Sequence, residues 1–330
     1  MATTKSEFSM SALIHALVLD GQGGVSKELT NKEQISAWQK TDGLLWLHLD
    51  YCFDEARDYL ERVNLSEFAY QSLLAEETRP RLVTDGQGTL MFLRGVNLNP
   101  AQTPDDMVSI RLYVSDQLIV STRHRRLLSV GALADSLRAG DGPKDASSLI
   151  CQLSENLTSR MQDVIDELED KLDQFEEQVD SSQPYDHNAL SQVRRQTIGL
   201  KRYIRPQKDA LRGLLTQPPS WLEDEDRSRI SETINHLVRY LEELDMNIER
   251  AQIIQQEVAS QVSDQLNKRM YVMSVVAALF LPLGFLTGLL GVNIGGIPGT
   301  ESDAAFAIFV IALVALTALI AVYFKLKKWL

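Results

Sequence analysis

The sequence predicts an α/β (α+β) N-terminal cytosolic domain with a mixed sheet, followed by a long helical stalk and two C-terminal transmembrane helices. Three observations lead there. Strand and helix signals alternate before residue 145, strand signals vanish after it, and two uncharged apolar runs occupy 271–290 and 304–324. A helix crosses the hydrocarbon core with about 20 predominantly apolar residues. Neither run contains an Asp, Glu, Lys, Arg or His.

The α/β domain comes first, at 1–144. Segments 12–19 and 44–49 read as strands. Segments 54–63 and 66–75 have helical periodicity, each opening on a capping residue, Asp54 and Ser66. Segments 81–84 and 89–98 flank the turn Asp85-Gly86-Gln87-Gly88, and 108–114 and 118–122 flank Ser115-Asp116, so each pair predicts a hairpin. This order suits a mixed sheet with helices on its faces.

A helical hairpin at 145–216 follows. Val164, Leu168, Leu172, Phe175 and Val179 form one apolar stripe, while Asp163, Asp166, Glu167, Glu169, Asp170, Asp173, Glu176, Glu177 and Asp180 crowd the other faces against the single base Lys171. Gln183-Pro184-Tyr185-Asp186 breaks that helix, and a basic one follows with Arg194, Arg195, Lys201, Arg202 and Arg205. Pairing acid with base across the hairpin accounts for both runs, with some acids left over. After Gln217-Pro218-Pro219 the stalk occupies 217–270. Leu237, Leu241, Leu244, Ile248, Ala251, Gln255, Val258 and Val262 keep a heptad rhythm, and neither Pro nor Gly interrupts it before Pro282. A continuous helix over 228–290 would be about 90 Å long at 1.5 Å per residue. Its stripe needs cover, from symmetry mates or from the preceding hairpin.

A net charge of -12 on 330 residues argues against nucleic acid, whose binding needs clustered Lys and Arg. The acidity suits cation gathering, and it suits plain solubility equally. Cys52 and Cys151 lie far apart in no Cys-x-x-Cys arrangement, which points to a reducing cytosol. The start Met1-Ala2-Thr3-Thr4-Lys5-Ser6-Glu7 does not read as a signal peptide. No nucleophile arrangement or phosphate loop is legible, and the Gly-rich run at 291–299 follows no strand, so an enzyme is not expected. Within the domain, His48, Asp50 and Cys52 fall within five residues and are the candidate metal ligands. His15, His124, His187 and His236 are scattered, and each reads more simply as a surface or core histidine.

Lys268 and Arg269 precede the first span and Lys325, Lys327 and Lys328 follow the second, in the basic tail 325–330. The loop 291–303 carries only Glu301 and Asp303. The positive-inside bias puts both ends in the cytoplasm and these two acids at an outer mouth, where they would attract cations. Two spans enclose no lumen, so transport would require an oligomer. Met270, Met273, Ala277, Leu281, Gly284, Gly288 and Gly291 recur at intervals of three and four, on one stripe of the first span. Gly284 and Gly288 permit close helix approach. The stripe is either a packing seam buried in lipid or an uncharged pore wall.

Asn267-Lys268-Arg269-Met270, Phe280-Leu281-Pro282-Leu283-Gly284-Phe285 and Thr287-Gly288-Leu289-Leu290-Gly291-Val292-Asn293 together resemble the pore helix of the CorA superfamily of divalent-cation transporters. The closing Tyr323-Phe324-Lys325 with Lys327-Lys328-Trp329-Leu330 is similar to that family's C-terminus. Magnesium-type members carry Gly-Met-Asn after the first span. Here Gly291-Val292-Asn293 followed by Ile294-Gly295-Gly296-Ile297-Pro298-Gly299 resembles the ZntB zinc-transporter branch. The resemblance implies a homopentameric funnel in the bacterial inner membrane, in contact with lipid, whose central pore is lined by the stripe with Asn267, Val292 and Asn293. It implies zinc uptake, with protons as a possible co-substrate, and no cofactor besides the transported Zn2+. A magnesium or cobalt channel, and a membrane-anchored coiled-coil scaffold that transports nothing, stand as alternatives.

Tight zinc binding uses His, Cys or carboxylate ligands, and the stripe has none. An ion would therefore cross largely hydrated, guided by Asn293 at the outer mouth and Asn267 at the inner end. Met270, Met273 and Leu281 fit a constriction that gates by dewetting better than a set of thioether ligands.

Overall fold

A computed structural model describes residues 11–76, 78–86, 88–181, 186–292, 297, 299 and 302–327. The chain divides into two units, Met1–Ile254 and Gln255–Leu330.

The first unit is built on a seven-stranded sheet with strand order β2-β1-β3-β7-β6-β5-β4. Its strands are β1 (Leu13–Leu19), β2 (Val25–Glu28), β3 (Leu45–Asp50), β4 (Arg81–Asp85), β5 (Gly88–Gly95), β6 (Val108–Val114) and β7 (Leu118–Arg123). All neighbours are antiparallel except β3 and β7, which run parallel from Leu45↔Leu118 to Asp50↔Arg123. Both expected hairpins form. Asp85 pairs with Gly88 across the β4–β5 turn, and the Ser115 N–H donates to the Leu118 carbonyl at 2.9 Å to close β6–β7.

Three short helices follow β2 and β3: α1 (Lys32–Ala37), α2 (Glu55–Leu60) and α3 (Glu67–Leu74). Ser66 caps α3 by accepting from the Ala69 N–H at 3.0 Å, whereas Asp54 occupies the cap position of α2 without a side-chain bond. Ala56, Tyr59 and Leu60 of α2 and Ala69 and Leu73 of α3 join Ala16, Val18, Leu45, Leu47, Leu49, Leu90, Phe92 and Val120 from one sheet face in a single buried cluster. Each fully buried leucine there contributes roughly 1.5–3 kcal/mol. His15, Trp46 and His48 are also buried, outside that cluster.

The rest of the first unit is helical: α4 (Leu128–Ala139), α5 (Ala146–Asp180), α6 (His187–Thr216) and the first part of α7 (Asp224–Leu290). The expected break at 183–185 lies outside the described residues, while Asp186 caps α6 by accepting from the Asn188 N–H at 2.8 Å. The acid–base pairing expected between α5 and α6 is corrected by a third helix. Arg250 of α7 reaches Glu169, Asp173 and Glu176 of α5, and Arg229 of α7 reaches Glu155 of α5, while Lys201 of α6 pairs with Asp245 of α7. One guanidinium fork satisfies several carboxylates at once. On the stalk stripe, Leu237, Leu241, Leu244 and Ala251 are buried within the single chain, which leaves them unavailable to symmetry mates.

The second unit comprises the remainder of α7, including Pro282, and α8 (Ala305–Leu326). Both helices are long and apolar enough to cross a membrane. Phe280, Leu283, Gly284 and Thr287 of α7 line an apolar groove with Leu313, Val314, Thr317, Ala318 and Ala321 of α8. The hydroxyls of Thr287 and Thr317 donate to carbonyls of their own helices, Leu283 at 2.9 Å and Leu313 at 2.8 Å, so they bring no unpaired polarity into the groove.

Candidate functional site: the exposed face of the first span and the metal-ligand candidates

The stripe from Met270 to Gly288 forms as one helical face, because α7 continues through Pro282, Gly284 and Gly288 to Leu290, and Gly291 follows one residue past its end. Asn267, Ala277, Gly284, Gly288, Gly291 and Val292 are exposed, as are Met270, Met273 at 70% and Leu281 at 74%. A methyl group added at Gly284 or Gly288 would meet open space. Taking about 100° per residue, the stripe lies roughly 70° around the helix from the face that borders α8, and Gly284 is common to both. Packing against α8 therefore leaves the methionine, leucine and glycine face uncovered. At its end the Gly291 N–H donates to the Thr287 carbonyl at 2.9 Å. Asn293 and Glu301 lie outside the described residues, and Asp303 is exposed.

The face carries no titratable group, so it has neither a strong ligand for a metal nor a fixed charge. Its chemistry is that of a smooth apolar wall broken by exposed glycine backbone. Such a wall suits a dewetting constriction. It suits close helix contact as well.

The three metal candidates of the first unit do not converge. His48 is fully buried, with Nδ1 at 2.7 Å from the Ser121 hydroxyl, which also accepts from the Trp46 indole N–H at 2.9 Å. Burial, then His15 and Arg123, hold its pKa well below the ordinary imidazole value. A ring so placed is a core residue, because strand alternation turns it into the sheet interior. Asp50 and Cys52 lie beyond it: the Asp50 carboxylate accepts the Cys52 N–H at 3.1 Å. The Cys52 thiol instead contacts His124 Nδ1. Partial burial, then the hydrogen bond and charge of Asp50, push this thiol up to about 11. Among the described residues no three His, Cys, Asp or Glu stand together as a ready ligand set.

His124 was not legible as a neighbour of Cys52, because 72 residues separate them. The signal that could have found it is the parallel pairing of β3 and β7, which antiparallel hairpin logic does not suggest. His236 pairs with Glu232 one turn away on α7, at 3.7 Å, and Cys151 is buried with its thiol pushed up by that burial.

A family described as CorA-like Mg2+ transporter protein matches residues 41–327. The chain is 35% identical to the zinc transport protein ZntB of Pectobacterium carotovorum subsp. carotovorum, over 98% of each chain. It is 37% identical to the divalent cation transporter CmaX of Pseudomonas aeruginosa, over 89% of this chain and 90% of that one. The solved structure of full-length CmaX superposes with a TM-score of 0.84 at 35% identity, covering 98% of this chain and 99% of that chain. A mixed-sheet domain, a long helix carrying an uncharged exposed stripe, a second apolar helix and these full-length likenesses lead to one conclusion: the chain belongs to the CorA superfamily, in its ZntB branch.

Proposed function

We propose that the protein carries zinc inward across the bacterial inner membrane through the axis of a homopentamer, with both termini in the cytoplasm. The observation that carries this reading is full-length identity of about a third to relatives named zinc transport protein ZntB, 35% and 37% in two species. The stripe Met270, Met273, Ala277, Leu281, Gly284, Gly288 and Gly291 supports a pore wall, because α8 borders it only at Gly284 and it bears no charge. The ion crosses largely hydrated. Asn267 and Asn293 hydrogen-bond its water shell at the two ends, and Met270, Met273 and Leu281 form the dewetted constriction. Glu301 and Asp303 raise the local cation concentration at the outer mouth.

A second reading, a transporter of broader divalent selectivity, is favoured by the relative named divalent cation transporter CmaX at 37% identity. Metal flux into proteoliposomes of defined orientation separates the two. Zinc entering much faster than magnesium supports the first reading, and equal rates support the second. Flux of neither metal sinks both. Native mass spectrometry in mild detergent checks the assembly, and a monomer or dimer as the dominant species removes the central pore.

A further inference from the structure

We propose that Cys52 and His124 are two ligands of a thiophilic divalent-metal site in the first unit, with Glu76 as the carboxylate that completes it. The topology puts them there. β3 and β7 are the one parallel pair in the described sheet, and their register ends at Asp50↔Arg123. The Tyr51 N–H extends the pairing by donating to the Arg123 carbonyl at 3.1 Å. Both strands therefore leave the sheet side by side and in the same direction, and Cys52 and His124 are carried out together.

The pair opens on a cavity of about 500 Å³ lined also by Tyr51, Arg57, Leu74 and Glu76. Arg111 holds the carboxylate's backbone in place. Its guanidinium donates to the carbonyls of Ala75 and Glu76 at 2.7 and 2.8 Å and stacks on the Tyr51 ring at 4.4 Å. The Glu76 side chain is exposed and lines the cavity.

Thiolate, imidazole and carboxylate form the donor set of zinc and similar borderline-soft cations. With the thiol protonated, its S–H donates to His124 Nδ1, and that lone pair is the one a metal would take. On binding, the S–H bond breaks, the proton leaves to solvent, and S–metal and N–metal bonds form. Tetrahedral zinc with bonds of 2.3 Å to sulfur and 2.0 Å to nitrogen holds the two donors about 3.5 Å apart. Cys52 and His124 sit just beyond the strand ends, and metal binding requires them to part to that distance. Arg57 and Arg111 oppose a cation here, and Asp50, Glu76 and the new thiolate offset them. All these groups belong to the first unit, so the site does not rest on the transport reading.

The test uses the full-length protein in detergent, with Co2+ as the spectroscopic probe and Zn2+ as the competitor. Wild type is expected to show a thiolate-to-cobalt charge-transfer band that Zn2+ displaces, that Cys52→Ser abolishes and that Cys151→Ser retains. His124→Ala should weaken Zn2+ binding by more than the roughly 10–100-fold that loss of an outer-shell partner causes. No band in wild type, or a band that survives Cys52→Ser, overturns the proposal. Should Cys52→Ser not fold, alkylation of wild-type Cys52 followed by mass spectrometry decides. Zn2+ is expected to slow it, and an unchanged rate overturns the site.

Discussion

His15 and His48 face each other across β1 and β3 with their rings stacked at 5.0 Å, and the Nε2 atom of each is buried without a hydrogen-bond partner. The rings of Trp46 and His15 meet in a T-shaped arrangement with centroids 4.5 Å apart. Burial, then the charges of Arg138 and Arg123, lower the pKa of His15 to about 3, and His48 is also held well below its usual value. The unfolded chain therefore binds more protons than the folded one between the ordinary imidazole value and about 3. Stability is complete above about pH 6.5 and falls as the pH drops through that window, by up to about 1.4 kcal/mol per pH unit for each histidine. Thermal unfolding followed by tryptophan fluorescence should show a lower Tm at about pH 5 than at about pH 7.5. His15→Phe should flatten the slope, whatever it does to the absolute Tm. An unchanged slope would mean that another group titrates.

Arg250 joins α7 to α5 through Glu176, at 2.9 and 2.7 Å, and through Asp173 and Glu169. Its partners remain about half exposed, so solvent screens the network strongly. Arg250→Met should lower stability by about 1 kcal/mol. High salt should shrink the difference between variant and wild type. Urea unfolding at two salt concentrations measures both effects, and a loss that salt does not change would assign the role of Arg250 to packing of its stem.

Met273 is among the most exposed residues of the uncovered stripe. If it belongs to a dewetted constriction, Met273→Ser wets the bore, and metal leak into proteoliposomes should rise with little change in the zinc concentration giving half-maximal flux. Weaker zinc affinity at unchanged leak would identify the thioether as a ligand.

Proton relays in membranes ordinarily use Asp, Glu or His within the spans, and both spans lack them. If transport is proton-coupled, the titrating groups must then lie outside the two spans. At clamped potential, an inward proton gradient should accelerate zinc uptake, and the double variant Glu301→Gln with Asp303→Asn should remove the acceleration. Acceleration that survives moves the step to the inner end. None at all leaves an electrically driven channel.

Elements whose cause is local were legible in the sequence. The two apolar spans, the hairpins around Asp85-Gly86 and Ser115-Asp116, and the Ser66 cap each depend on a few adjacent residues, and each formed where expected. β2 was missed because it has only four residues, mostly exposed, and no alternation. α4 was missed because Leu127 at its cap makes no side-chain bond, so only Gly140, with φ of 84°, marks an end. At the candidate sites, the stripe was visible as a period. Its separation from the α8 face was not, because that depends on where a second helix packs. The contact of Cys52 with His124 and the grip of Arg250 on α5 depend on pairings across more than 70 residues, which no local pattern encodes.

The parallel pairing of β3 with β7 also bears on how the chain is made. Leu45 waits for Leu118 before the sheet can close, and non-local pairing of this kind takes milliseconds to seconds. Synthesis proceeds at about 5–20 residues per second, and both strands precede the first apolar run by well over a hundred residues. The ribosome therefore supplies several seconds in which β3 and β7 can pair before any membrane helix emerges. By the time the exposed side chains of α8 need lipid, the strands most able to pair wrongly with them have had time to pair with one another.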